Sequence, residues 1–282
     1  MNDKPGLLGA VIGSPVSHSL SPALYSAAFE ELGLHGRYEA VECTPENLGE
    51  VFGRLRRSGA RAVSVTMPLK ESVIGCLDVV DDDAELLRAV NCVSFVDGVA
   101  RGHNTDGDGC CDALVEQGEA RLDGASVVVL GAGGTARSVA LALGRRGAHV
   151  AVVNRTRGNA DALVQRLSAV VVSSGGSLRV ADPGEIASAT VLVNTTSVGM
   201  NSTDCPVDPS VLHGGLVVLD AVYSPMETTL LTESARRGAR TVDGLWMLVQ
   251  QARRQCWNQF GATPSAVTMR AAAERELAGR RK

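Results

Sequence analysis

Residues 126–156 read SVVVLGAGGTARSVALALGRRGAHVAVVNRT, and few folds accommodate that pattern. Residues 126–130 are a short, largely β-branched run, of the kind that forms a strand buried on both faces. A turn carrying Gly131, Gly133 and Gly134 follows. From 136 to 146 the residues Val139, Ala140 and Leu143 recur at helical spacing, and Gly147 stands where a helix ends. Residues 150–153 predict a second strand. Strand, glycine turn, helix and strand within about 30 residues have the organisation of a dinucleotide-binding unit. Its glycines let the backbone approach a pyrophosphate, and the helix N-terminus offers N–H groups and a favourable dipole. A glycine turn that serves packing alone is the plainer alternative.

The end of the second strand bears on the ligand. A unit for NAD usually carries Asp or Glu there, to hold the ribose 2′-hydroxyl. Here the chain has Asn154, Arg155, Thr156 and Arg157. An arginine fork pairs a phosphate that a carboxylate would repel. NADP is therefore expected, with NAD as the alternative. Solvated loop charges are the other reading of Arg155 and Arg157.

The chain has 282 residues, enough for two domains with their own cores. Twenty-seven basic against 31 acidic residues leave a net charge of −4, and aromatics are 3%. Neither value suggests a nucleic-acid partner. No apolar run is long enough for a membrane span. The opening MNDKPGLLGAVIG lacks the pattern of a signal peptide. Seven scattered cysteines without C-x-x-C or a His partner at ligand spacing read as reduced thiols, so neither a disulfide framework nor a metal site is expected. A cytoplasmic location fits best.

Taken in order, 7–12 predicts a strand, and Ser21-Pro22 has the grammar of a helix cap followed by proline. That helix runs to about Leu32 and stops at Gly33. A strand at 38–42, a helix from Thr44-Pro45 through Arg57 and a strand at 62–65 complete a βαβαβ start, hence a parallel sheet. Pro68 ends that strand and leaves Lys70 just past its carboxyl end, the edge where open α/β sheets bind ligands. Residues 90–95 and 99–103, joined by Asp97-Gly98, predict a hairpin. A helix at 108–117 then leads to the glycine-turn unit. Farther on, Asp182-Pro183 opens a helix, 191–194 and 216–220 are strands, and 227–237 and 245–260 are helices. Residues 173–177 read as a loop.

Four polar clusters fall at strand ends in the first half: the serines near 19, Thr66 with Lys70, Asn91, and Asn104 with Asp106. A lysine and a carboxylate among hydroxyl and amide groups suit hydride transfer to a small polar carbonyl compound. The alkoxide so formed needs a proton, which lysine can give. Blander readings stand beside these. Ser21 and Asp106 can cap helices, Lys70 can be an ordinary lysine, and Asn91 can hold a turn. Gln251 can be solvated, and Tyr223 can be a hydrogen-bonded core aromatic.

The segments GSPVSHSLSP, SVTMPLKE, AVNCV, NTDGDG, GAGGTAR, NRT, NTTSVGM and GLWMLVQQA span the chain, and in that order they resemble the shikimate/quinate dehydrogenase family. The resemblance implies an α/β protein of two domains around a cleft. One is an N-terminal α/β substrate domain with a mostly parallel sheet, residues 1–108, completed by C-terminal helices at 244–282. The other is a Rossmann-type NADP-binding domain, residues 109–243. It implies reversible NADP-dependent reduction of 3-dehydroshikimate to shikimate, in the route to chorismate and aromatic amino acids.

Carried over motif by motif, Lys70 and Asp106 would be the catalytic pair. Ser19 and Ser21 would bind the substrate carboxylate, Thr66, Asn91, Asn104 and Gln251 its hydroxyls, and Tyr223 would approach it from the nucleotide domain. Gly131, Ala132, Gly133, Gly134 and Thr135 would cradle pyrophosphate, with Asn154, Arg155 and Thr156 at the adenosine end. Thr195, Thr196, Ser197, Val198, Gly244 and Met247 would line ribose and nicotinamide. A quinate or aminoshikimate dehydrogenase using NAD is the close alternative, and the Ser19/Ser21 pair favours shikimate. A dinucleotide-sensing protein without catalysis is a different class, and the presence of both Lys70 and Asp106 weighs against it. A homodimer is left open.

Overall fold

Short β-branched runs become the strands of two separate sheets in the computed structural model, which describes residues 6–280. Two compact units result: Met1–Thr105 with Ala252–Lys282, and Asp106–Gln251.

The first unit opens with β1 (Leu7–Gly13), α1 (Ser21–Glu31), β2 (Arg37–Glu42), α2 (Leu48–Arg57) and β3 (Ala62–Val65). It continues with β4 (Val79–Val80), α3 (Asp82–Leu87), β5 (Cys92–Val96) and β6 (Val99–His103). The sheet order is β2-β1-β3-β5-β6-β4. β1 runs parallel to β2 and β3, as the βαβαβ pattern requires, while β5 is antiparallel to both β3 and β6. Asp97 (φ 51°) and Gly98 (φ 77°) form the two-residue turn between β5 and β6, the left-handed pair that matches strand twist. Ile12, Val63, Val65, Leu55, Phe52 and Val93 pack into the core on one face of this sheet.

The second unit contains α4 (Asp106–Glu116), β7 (Ser126–Leu130), α5 (Gly134–Arg145), β8 (His149–Val153) and α6 (Arg157–Ser173). β9 (Ser177–Val180), β10 (Val191–Asn194), β11 (Val217–Asp220), α7 (Thr229–Arg236) and β12 (Arg240–Val242) follow. All its strands are parallel, in the order β12-β11-β10-β7-β8-β9. That is the doubly wound order, with its reversal between β7 and β10. Two helices close the chain, α8 (Gly244–Phe260) and α9 (Ala266–Arg280).

Several local expectations change. Ser21 is the first helical residue of α1 rather than its cap; Leu20 occupies the cap position, without a side-chain bond. α2 begins at Leu48, because residues 45–47 form a turn in which Asn47 Oδ1 accepts from Thr44 N (2.8 Å). Asp182-Pro183 opens only a 3-10 turn, Pro183–Ser188. The 17-residue α6 and the strand β9 are additional elements, and between them the loop expected at 173–177 is present at 174–176. The breaks between units fall at 105/106 and 251/252. Packing explains both positions. A Cβ on Gly107 would lie 2.1 Å from Ser138 O, and one on Gly109 2.6 Å from Gln251 N, so the start of α4 is bound into the second unit. Gln250 Nε2 donates to Glu116 Oε2 (2.6 Å) in that unit, whereas Gln255 and Gln259 bond groups of the first. α8 thus gives one half to each.

Candidate active site

Strand direction gathers the polar groups of the first unit. β1, β3 and β6 end at the same sheet edge, and antiparallel β5 begins there. Backbone bonds lock the strand exits together: Ser14 N donates to Met67 O (2.9 Å), Thr66 N to Ile12 O (2.9 Å), Val90 N to Lys70 O (2.8 Å) and Asn91 N to His103 O (3.1 Å). Gly13 is required for this closeness, since a Cβ there would lie 2.3 Å from Thr66 Cγ2. Thr66, Lys70, Asn91 and Asn104 therefore share one edge. Asn91 is buried; the others are half-buried.

The amides have structural partners as well. Asn91 Oδ1 accepts from Thr105 N (2.8 Å), and Asn104 Nδ2 donates to Ala89 O (2.9 Å). The Asn91 bond ties the start of β5 to the segment after β6 rather than holding a local turn, and it orients the Asn91 side chain. Its carbonyl accepts from Gln255 Nε2 (3.2 Å), whose own Oε1 accepts from Ser64 Oγ (2.6 Å), which in turn accepts from Tyr38 OH (2.6 Å). Burial pushes the Tyr38 hydroxyl well above its ordinary range, so it stays a neutral donor. His103, at the end of β6, bonds Asp81 through Nδ1 and Ser94 Oγ through Nε2 (3.2 Å), fixing the strand end that delivers Asn104. In the Ser19 loop, Ser19 Oγ accepts from Ser21 N (3.2 Å), which leaves the hydroxyl proton to donate outward.

In the second unit, the glycine turn lies at the order reversal between β7 and β10. Gly131 has φ 111°, and a Cβ there would lie 2.7 Å from Thr195 Oγ1. Thr195 Oγ1 itself donates to Leu130 O (2.6 Å), so the turn and the loop after β10 are built against each other. Gly133 faces open space at its Cβ position, and α5 starts one residue later. First-turn N–H groups of a helix lack intrahelical acceptors, so this end can take a phosphate. At the β8 exit, Asn154 Nδ2 donates to Thr156 O (2.8 Å), and Arg155 and Thr156 are exposed. Arg157 stands at the start of α6, 3.9 Å from Asp182. Ala132, Gly134 and Thr135 are half-buried, and Ser197 and Val198 are exposed. Tyr223 is half-buried just past β11, and Gln251 packs its backbone on Gly109. Asp106 is buried as the first residue of α4 rather than its cap. Gly244 is needed for close approach, since a Cβ there would lie 2.6 Å from both Ala221 O and Val222 O, and Met247 is buried.

One buried network had no sequence signal beyond strand ends. Asn194 and Asp220 are register partners that terminate β10 and β11, and both are fully buried. Asn194 Oδ1 accepts from Thr196 N (3.0 Å) and Thr196 Oγ1 (2.7 Å), and Nδ2 donates to Asp220 Oδ1 (2.9 Å). Asp220 also accepts from Val222 N (3.1 Å) and from Thr228 Oγ1 (2.7 Å), the residue that caps α7. The loop at 195–198 and the segment bearing Tyr223 are thereby held by one carboxylate. Burial pushes the Asp220 carboxyl up, against the pull of its three donors. Among the described residues, no group of three or more His, Cys, Asp or Glu could hold a metal ion, and no helix is long and apolar enough to cross a membrane.

Comparison with known proteins agrees with this layout. The family model for the shikimate dehydrogenase substrate binding domain matches residues 11–93, and that for shikimate / quinate 5-dehydrogenase matches residues 113–196. Shikimate dehydrogenase (NADP(+)) of Thermococcus kodakarensis is 43% identical over 274 residues, covering 97% of this chain and 98% of that protein. The crystal structure of the Thermus thermophilus shikimate 5-dehydrogenase with NADP(H) and shikimate superposes with a TM-score of 0.88 at 37% identity, covering 95% of this chain and 99% of that one. A quinate dehydrogenase of Corynebacterium glutamicum in complex with NAD is 30% identical, with a TM-score of 0.85 over 95% of this chain and 99% of that one.

Proposed function

The chain belongs to the shikimate dehydrogenase family, and from that membership we propose that it catalyses the reversible, NADP-dependent reduction of 3-dehydroshikimate to shikimate. The observation that carries the reading is the set of ammonium, hydroxyl and amide groups of Lys70, Thr66, Asn91 and Asn104 at one sheet edge. A polyhydroxylated acid needs many donors and acceptors, and a site built to bond hydroxyls rejects analogues that lack them.

The residues present fit the cofactor. The left-handed Gly131, the open Gly133 and the α5 N-terminus suit a pyrophosphate, with Ala132, Gly134 and Thr135 completing the turn. Arg155, in a stretch 154–157 that contains no Asp or Glu, suits a 2′-phosphate and favours NADP over NAD. NADPH, when bound, supplies the hydride. Lys70 and Asp106 form the proposed catalytic pair: Lys70 Nζ gives a proton to the oxygen of the reduced carbonyl and takes it back in the reverse direction. Ser19 and Ser21 hold the carboxylate through hydroxyl hydrogens. Thr66, Asn91, Asn104 and Gln251 bond the ring hydroxyls, and Tyr223 adds a phenol. Asn154 and Thr156 serve the adenosine end, while Thr195, Thr196, Ser197, Val198, Gly244 and Met247 serve ribose and nicotinamide. Seven cysteines with no disulfide among them support a cytoplasmic location.

Rates for shikimate and for quinate, each with NADP and with NAD, test the assignment on purified protein. Shikimate with NADP is expected to give the highest kcat/KM; a faster quinate reaction with NAD overturns it. Lys70→Ala should lower kcat by about a hundredfold or more while leaving NADPH affinity within twofold. Unchanged turnover removes Lys70 from the mechanism.

A further inference from the structure

We infer that Arg280, in the last turn of α9, is a positioning residue for the substrate carboxylate and acts through the Ser19 loop; this rests on the functional reading above. The guanidinium of Arg280 donates through Nη1 to His18 O (2.7 Å) and through Nη2 to Ser19 O (3.1 Å), while Nε donates to Glu276 Oε1 (3.1 Å). All three nitrogens of the planar fork are engaged. Glu276, one turn earlier on α9, fixes the side from which the fork meets the loop. The two carbonyls belong to consecutive residues, 262 and 261 positions away in sequence.

Pinning consecutive carbonyls restricts rotation of the peptide planes on both sides of Ser19, and so fixes the direction of its Cα–Cβ bond. The rest of the loop is tied inward: Val16 N donates to Glu42 Oε2 (3.2 Å), Ser19 N to Val16 O (2.9 Å) and Ser21 N to Ser19 Oγ (3.2 Å). With its oxygen already accepting, the Ser19 hydroxyl keeps its proton for an outside acceptor. The Glu276 carboxylate offsets the Arg280 charge, so Arg280 acts on the loop through its two carbonyl bonds, and the oriented hydroxyl is what meets a carboxylate. The Arg280 side chain is 30% exposed, at the end of a surface helix. Its bonds to the loop therefore contribute more to the loop's geometry than to the stability of the fold.

Arg280→Ala and Glu276→Gln, with Arg280→Lys as the conservative variant, separate these roles. Arg280→Ala is expected to raise KM for shikimate about fivefold, as loss of charge-assisted bonds at a partly exposed site implies, with kcat and KM for NADP within twofold and Tm within about 2 °C. Glu276→Gln should shift shikimate KM in the same direction, and Arg280→Lys should recover part of the loss. Unchanged shikimate KM in both Arg280→Ala and Glu276→Gln overturns the inference. So does a joint rise of both KM values accompanied by a falling Tm, which would mark a general loss of structure. Wild-type turnover of shikimate is measured first. Its absence overturns the functional reading, whereas an active wild type with unaltered variants overturns the role of Arg280 alone.

Discussion

The donors that face Asp220 are all neutral, an arrangement with a definite consequence for pH. Asn194 Nδ2, Val222 N and Thr228 Oγ1 satisfy the carboxylate, yet burial outweighs them and the carboxyl titrates above its ordinary range. Between the ordinary value near 3.9 and the raised one, the folded chain holds a proton that the unfolded chain has lost. Stability from this residue is thus fully present below the ordinary value and is lost as pH rises through the raised one. Asp220→Asn removes the titration and keeps an oxygen for Asn194 and Val222. Denaturant unfolding of both proteins should show the variant gaining stability relative to wild type between pH 4 and pH 7. A difference that stays constant across that range would mean that the carboxyl is not raised. Nothing in the spacing of the sequence distinguishes Asp220 from any aspartate closing a strand; the shift exists only because β10 and β11 lie in register.

Among the elements, α8 shows how buried polar groups hold a helix on a sheet. Gln255 and Gln259 are both buried, and they bond Asn91 O, Ser64 Oγ, Val93 O and Tyr25 OH, while Tyr25 stacks on Tyr38 with centroids 3.9 Å apart. Gln255→Leu leaves the Ser64 hydroxyl and the Asn91 carbonyl without these partners, at a cost of about 2 kcal/mol. Urea unfolding should show that loss; a variant as stable as wild type would mean that the network relaxes without cost. Residues 245–260 announced a helix through their apolar spacing, and Asp243 Oδ1 accepts from Leu245 N (3.0 Å) at its start. The polar anchors were not legible, because glutamines in a helix read as solvated until the facing sheet is known. α6 was hidden for another reason: Gly158 and Asn159 weaken its first turn, and Val170, Val171 and Val172 are β-branched, so packing overrides propensity there. β4 and β12 have two and three residues, too few for alternation to register. The glycine-turn unit, β3 and the hairpin turn were legible because Gly131 and Asp97-Gly98 supply the left-handed backbone those turns need, while Pro68 fixes φ and ends its strand.

Across the whole molecule the charge is unfavourable for the cofactor proposed. With 27 basic and 31 acidic residues the net charge is −4, so no long-range field draws in a multiply charged anion. Phosphate recognition must therefore be local, and the second unit offers two places for it, the N-terminus of α5 and Arg155. In the proposed reading the first serves the pyrophosphate, which NADP and NAD share, and only the second bears on the 2′-phosphate, which distinguishes them. Arg155→Ala should accordingly weaken NADPH binding on the order of ten- to hundredfold and leave NADH within about twofold. Salt gives an independent reading of the same division. Exposed ion pairs are screened, so raising ionic strength should weaken NADPH more than NADH in the wild type. In Arg155→Ala the two salt dependences should converge, as measured by the quenching or enhancement of nicotinamide fluorescence in titrations at several salt concentrations. Equal losses for the two cofactors would place Arg155 outside the 2′-phosphate contact. A salt difference that persists in the variant would transfer that contact to Arg157, whose guanidinium already lies 3.9 Å from the carboxylate of Asp182.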